Sequence, residues 1–171
     1  MYTGRKFKWR RSYLSQNQAE EVQIDNKPED ITGITCIYVP VQDVYESVQW
    51  YRKNLGCRQP GSHDPVKPGA GIAILRFPDH HDKLPGAGLR TTVPAMFLIQ
   101  SELKGGRLGF TNNNGDRVPV GCFITPRIQE LFERFKENGV RITSDIPEGR
   151  ECGPNFQFYD LDGNLWEVWQ P

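Results

Sequence analysis

Histidine is scarce, no charge sign dominates, and long apolar runs are missing. Lys plus Arg (21) equals Asp plus Glu (21) in the 171 residues, so no global field steers the chain toward nucleic acid or an acidic membrane. A charge-driven partner must therefore meet a local patch. No apolar stretch approaches the roughly 20 residues of a membrane helix, and the basic N-terminus lacks the apolar segment of a secretory signal. The four cysteines, Cys36, Cys57, Cys122 and Cys152, are widely spaced with no Cys-x-x-Cys, which excludes a zinc ribbon. No nucleophile elbow, Walker loop or dinucleotide fingerprint is written in the chain. These absences lead to the expectation of a cytoplasmic chain with reduced thiols and no membrane partner. What is present, 37% hydrophobic and 25% charged residues, suits an ordinary globular domain.

Residues 1–30 differ from the rest. Arg5, Lys6, Lys8, Arg10 and Arg11 crowd around Phe7 and Trp9, and a polar stretch follows, SQNQAEEVQIDNKPED. One reading of RKFKWRR is an anionic-surface or nucleic-acid patch. The reading adopted is an N-terminal extension lying on its own domain or on a second subunit, because the acidic residues that follow cancel its charge. Nucleic acid is thus not the expected partner.

After residue 30 a pattern of strand and helix occurs twice. ITCIYVPV, ending at Val41, is β-branched and aromatic and reads as a buried strand. Asp43 offers an N-cap oxygen with Glu46 three residues on, Val44, Val48, Tyr51 and Leu55 form a helical stripe, and Gly56 ends the helix. The second occurrence runs from VGCFIT (120–125) through Thr125 as N-cap and Pro126 at the first helical position. Ile128, Leu131, Phe132 and Phe135 then share one face, and Gly139 closes the helix. The two patterns are offset by 83 or 84 residues. Strands are expected at 71–77, 95–101, 140–146, 155–160 and 164–170. Asp160, Asp162 and Gly163 supply the turn chemistry of a terminal hairpin. The Gly- and Pro-rich connections 78–94 and 102–119 read as loops, with TNNNGD (111–116) as a turn.

The helix residues Asp43, Ser47, Trp50, Tyr51, Leu55 and Gly56, together with Asp160, Asp162, Gly163, Asn164 and Glu167 of the hairpin, resemble the vicinal oxygen chelate superfamily of glyoxalase I, bleomycin and fosfomycin resistance proteins, epimerases and extradiol dioxygenases. The resemblance covers 31–171. It implies an α+β fold of two βαβββ modules, about 31–105 and 116–171, whose curled mixed sheets surround a cavity and are often completed by dimerisation. It is informative for the fold and poorly specific for the reaction.

Metal-dependent members of that family carry ligands on the first strand of each module and a glutamate on the last strand. Glu167 matches the terminal glutamate. The first-strand position seven residues before Asp43 holds Cys36, where His or Gln is usual. Its second-module counterpart falls on Val120, or on Cys122 if the register shifts by two. Gln100 or Glu102 fills the remaining position. If a divalent metal is present, Glu167, Gln100 and Cys36 are its expected ligands. The donor set is half of the usual one, so a metal-free cavity is the expectation. PDHHD (78–82) reads as a solvated loop, since adjacent side chains on an extended chain point opposite ways.

Alternation puts Leu165, Glu167 and Trp169 on one face of the last strand. The site is expected to comprise Tyr38, Phe97, Glu167 and Trp169, an aromatic-walled pocket with one carboxylate suited to a planar or cationic small organic molecule. The rival is a glyoxalase I-like lyase, isomerase or dioxygenase in which Glu167 is the catalytic residue, as metal ligand or general base. A third reading is an interaction module working through RKFKWRR. A homodimer is expected.

Overall fold

The computed structural model describes residues 34–61, 63–77, 94–102, 107–147, 149 and 151–171. The basic N-terminal segment, the extension 1–30 and the His80–His81 loop lie outside the described residues. The chain divides between Thr32 and Gly33, and every element named below belongs to the unit Gly33–Pro171.

The first module comprises β1 (Cys36–Val41), α1 (Val44–Leu55), β2 (Ile72–Leu75) and β3 (Ala95–Gln100). A small hairpin follows, β4 (Phe110–Thr111) with β5 (Arg117–Val118). The second module comprises β6 (Cys122–Ile124), α2 (Ile128–Glu137), β7 (Arg141–Ile142), β8 (Asn155–Tyr159) and β9 (Leu165–Trp169). The fold is α+β with mixed sheets that do not close into a barrel. In the first sheet the order is β1-β3-β2, with β1 parallel and β2 antiparallel to β3. In the second it is β6-β9-β8-β7, with β6 parallel to β9. The expected duplication is visible in detail, because Arg58 forms an isolated antiparallel bridge with Arg76 just where the second module pairs Arg141 with Tyr159. Both pairs are related by the offset of 83. The fourth strand of the first module is thus reduced to one bridge.

Local chemistry explains most boundaries. The Asp43 carboxylate accepts from the Glu46 amide at 3.0 Å, and Gly56 adopts φ 71°, where a Cβ would be strained. The second helix begins later than Thr125 and Pro126 suggest. Its N-cap position is Arg127 without a side-chain cap, and the Gln170 amide oxygen accepts from Ile128 N at 2.9 Å instead. A residue from the far end of the chain satisfies that orphan donor, which local spacing cannot reveal. The expected strand 140–146 shrinks to Arg141–Ile142. TNNNGD becomes the tip of the β4–β5 hairpin, with Asn112 Oδ1 accepting from Asn114 N and Asp116 N.

One core serves both modules. Val39, Val41, Leu75, Met96 and Leu98 from the first sheet join Phe156, Phe158, Trp166 and Val168 from the second, with α1 and α2 packed among them. Aromatic edges dominate the second half, where Phe135 meets the Phe158 ring at 4.8 Å and the Phe156 ring at 5.8 Å. Ser47 and Asn54 are also buried on α1, on a face where an apolar stripe is expected. Each has a partner in the second module: Ser47 Oγ donates to Asp162, and Asn54 meets Arg134 of α2 and Asn138 at that helix's C-terminal cap.

Gly121 occupies the approach to β6, where a Cβ would lie 2.7 Å from Cζ3 of the Trp166 ring. Trp166 is 1% exposed and its Nε1 donates to Tyr51, so the ring has no room to retreat. Gly121→Ala is expected to cost about 1–3 kcal/mol, read as a lowered urea midpoint at constant m value.

Candidate functional site

Cross-strand pairing assigns each side chain to a face, because paired Cα positions project to the same side. In the first sheet the core-facing rows are Val39 with Leu98 and Val41 with Gln100. The open face carries Cys36 opposite Ala95, Tyr38 opposite Phe97, and Pro40 opposite Ile99. The Tyr38 and Phe97 rings meet edge to face at 5.6 Å, and Tyr38 is 65% exposed. The neighbouring Cys36 thiol pushes the Tyr38 phenol's pKa up.

The open face of the second sheet holds Cys122 opposite Glu167 and Gln157 beside it, with Ile124, Trp169 and Asn155 forming the next row. Asn155 Nδ2 donates to Glu167 Oε1 at 2.7 Å, so among the described residues the carboxylate is held by a neutral amide. Trp169 Nε1 donates to the Cys152 carbonyl, fixing the indole at the edge of that face. The Cys122 thiol is pushed up to about 11 by burial, with the negative charge of Glu167 adding to the effect.

The structure therefore brings the expected residues together in pairs. Tyr38 and Phe97 lie on one sheet, Glu167 and Trp169 on the other, and each sheet turns its opposite face to the common core. Gln100 shares the row of Val41 and lies across the sheet from Cys36. It faces a cavity of about 380 Å³ with Gln42, Ser101 and Glu102. Of the neighbours of Glu167, Cys122 is the shifted-register alternative named from the sequence, and Asn155 carried no such signal. The signal for Cys122 was the alternative register, five residues before Arg127, which makes Tyr38, five before Asp43, its first-module counterpart.

The divalent metal implied by the family does not fit this donor set. Cys36 and Gln100 are separated by the sheet, and Glu167 has the Cys122 thiol and the neutral amides of Asn155 and Gln157 as neighbours. Among the described residues no three His, Cys, Asp or Glu side chains converge. A catalytic divalent ion needs about three protein donors on one centre.

The hairpin motif has a different role. Asp160 Oδ2 accepts from Tyr51 Oη at 2.5 Å and from Asn164 Nδ2 at 2.7 Å, while Oδ1 accepts from the amides of Asp162 and Asn164. Asp162 accepts from Gln42 N at 2.7 Å and Ser47 Oγ at 2.8 Å. Asn164 reaches the Pro40 carbonyl and receives the Leu108 amide. These residues bolt the second-module hairpin onto β1 and α1 of the first.

The profile of the glyoxalase/bleomycin resistance protein/dioxygenase superfamily matches residues 33–168. The chain belongs to that superfamily. Its fold is similar to the fosfomycin resistance protein FosX from Listeria monocytogenes, with 17% identity and TM-score 0.55 over 82% of this chain and 92% of that one. It is also similar to TioX from Micromonospora sp. ML1, with 15% identity and TM-score 0.54 over 81% and 98%. A possible glyoxalase from Bacillus cereus gives 16% identity and TM-score 0.53 over 81% and 99%. Likeness at these identities carries the fold alone. A phytoene desaturase from Fusarium fujikuroi is 28% identical over 88 residues, a match spanning 50% of this chain and 14% of that protein. Among the described residues no helix is long and apolar enough to cross a membrane.

Proposed function

We propose that the chain binds a small organic molecule, planar with a cationic or donor group, at the Glu167 face and without a divalent metal. The observation that carries this reading is the pairing of Glu167 with Asn155 on an open sheet face beside Trp169. A carboxylate with only a neutral partner retains its charge for a ligand cation, and an indole beside it favours a flat group. Tyr38 and Phe97 form the second wall in a homodimer, where the open face of one copy's first sheet covers the second sheet of the other. Exposed apolar side chains support this, with Tyr38 at 65%, Ile72 at 52% and Ile124 at 70% on the two open faces. The free cysteines among the described residues suit a reducing, cytoplasmic setting.

Elemental analysis after loading with Zn, Ni, Mn and Fe, paired with a thermal-shift screen of planar cations, tests the proposal. The expected result is no stoichiometric metal and a ligand-induced rise in Tm that Glu167→Gln abolishes. Stoichiometric metal retained by the wild type and lost in Glu167→Gln would overturn it in favour of a metal-dependent lyase, isomerase or dioxygenase.

A further inference from the structure

A second cavity, of about 430 Å³, lies at the turn end of the terminal hairpin, around the edge strand β7. Its volume falls within the range of ordinary small-ligand sites. Trp50 of α1 forms one wall, stacked on Phe158 at 6.4 Å, and Val140 and Leu161 add apolar surface. Leu161 is 54% exposed, which leaves that surface open. The Arg141 guanidinium lies over the Tyr159 ring, 3.6 Å from its centroid. Both residues line the cavity. A stacked guanidinium directs its N–H donors outward in its own plane. The ion pairs among the described residues are Arg127–Glu130 and Lys136–Glu133, so Arg141 has no carboxylate partner there.

Two carboxylates also line the cavity, and their oxygens are committed. Asp160 receives the Tyr51, Asn164 and Asp162 donors, and Asp162 receives Gln42 N and Ser47 Oγ. Asp160 is saturated and Asp162 holds one donor on each oxygen, and the charge of the pair opposes a polyanion more strongly than a single anion. A single delocalised negative charge on Arg141, with a flat apolar body against Trp50, suits those two walls and adds the least repulsion from Asp160 and Asp162.

We infer that this cavity is a binding site for planar monocarboxylates, formed by Arg141, Tyr159 and Trp50 at the turn end of the second sheet, with Tyr159 one row along the same face from Glu167. The carboxylate takes the in-plane Arg141 donors in a two-pronged bond, and the ring lies along Trp50 and Leu161.

The test is an NMR titration of the full chain with 2-naphthoate, against neutral 2-naphthamide and inorganic phosphate. Saturable binding with shifts at the Trp50 indole and the Gly163 amide is expected. Naphthamide should bind at least about tenfold more weakly, as should naphthoate to Arg141→Gln, while phosphate gives no saturable shift. Glu167→Gln should bind naphthoate like the wild type, which separates this site from the proposed function. Equal binding of naphthoate and naphthamide, no saturation with naphthoate, or shifts that vanish in Glu167→Gln would overturn the inference. The comparison of the two naphthalenes needs no variant, so a misfolded substitution does not leave the question open.

Discussion

Asp160→Asn should lower the unfolding free energy by about 3 kcal/mol, a large fraction of what holds a domain of this size together. Both oxygens of Asp160 face donors, and the side chain is 6% exposed. An amide in its place points N–H groups at the Tyr51 hydroxyl and the Asn164 amide, leaving buried donors without acceptors. Tyr51→Phe should cost less, about 1–2 kcal/mol, and the double variant should show a coupling of similar size. Urea unfolding measures all three, and additive effects would contradict the network. The pH dependence has a definite sign. Burial pushes the Asp160 carboxyl up, the bonds from Tyr51 and Asn164 pull it down, and Asp162 pushes it up again, for a net rise. The folded state therefore holds the proton more tightly than the unfolded chain. The associated stability is present below the ordinary aspartate value and is lost as pH rises through the folded value. The gap between wild type and Asp160→Asn should narrow as pH is raised across that window.

Cys122 should be alkylated by iodoacetamide at pH 8 on the order of 100-fold more slowly than a free cysteine. Its thiol is pushed up to about 11, and only the thiolate reacts. Burial is the main cause and the charge of Glu167 the second. Glu167→Gln should accelerate the reaction while leaving it slower than that of a free thiol. Peptide mass spectrometry resolves Cys122 from the other cysteines. A rate unchanged by Glu167→Gln would show that the two side chains do not face each other across β6 and β9, and would remove the geometric basis of the candidate site. The prediction is independent of any ligand.

The residues that revealed the family are mostly those that join its halves. Asp43, Gly56 and Gly163 act within a few residues of themselves, as does Asp160 through Oδ1, so these capping and turn roles follow from spacing. The buried Ser47, Asn54 and Asn164 answer to partners far away in sequence, and a helical wheel shows only that Ser47 and Asn54 interrupt the apolar stripe of α1. The site was legible in part. Strand alternation groups Glu167 with Trp169, whereas the pairing of Tyr38 with Phe97 rests on the register between β1 and β3. The separation of the two pairs onto different sheets was not legible, because it depends on which faces the common core consumes. Gln100 shows the same limit, since one step of strand register carries a side chain through the sheet.

The single bridge of Arg58 with Arg76 has a further consequence beyond marking a duplicated module. An edge with long runs of free amides and carbonyls invites a foreign strand to add, and growth of that kind leads to fibres. Here Arg58 covers one residue at the end of β2 in the first sheet, the second sheet ends on the side of β7 in two residues, and both places carry an arginine. The two residues of β7 are too short a template for an incoming chain. Lengthening either edge with alternating apolar residues should make the protein prone to self-assembly even where its stability is unchanged.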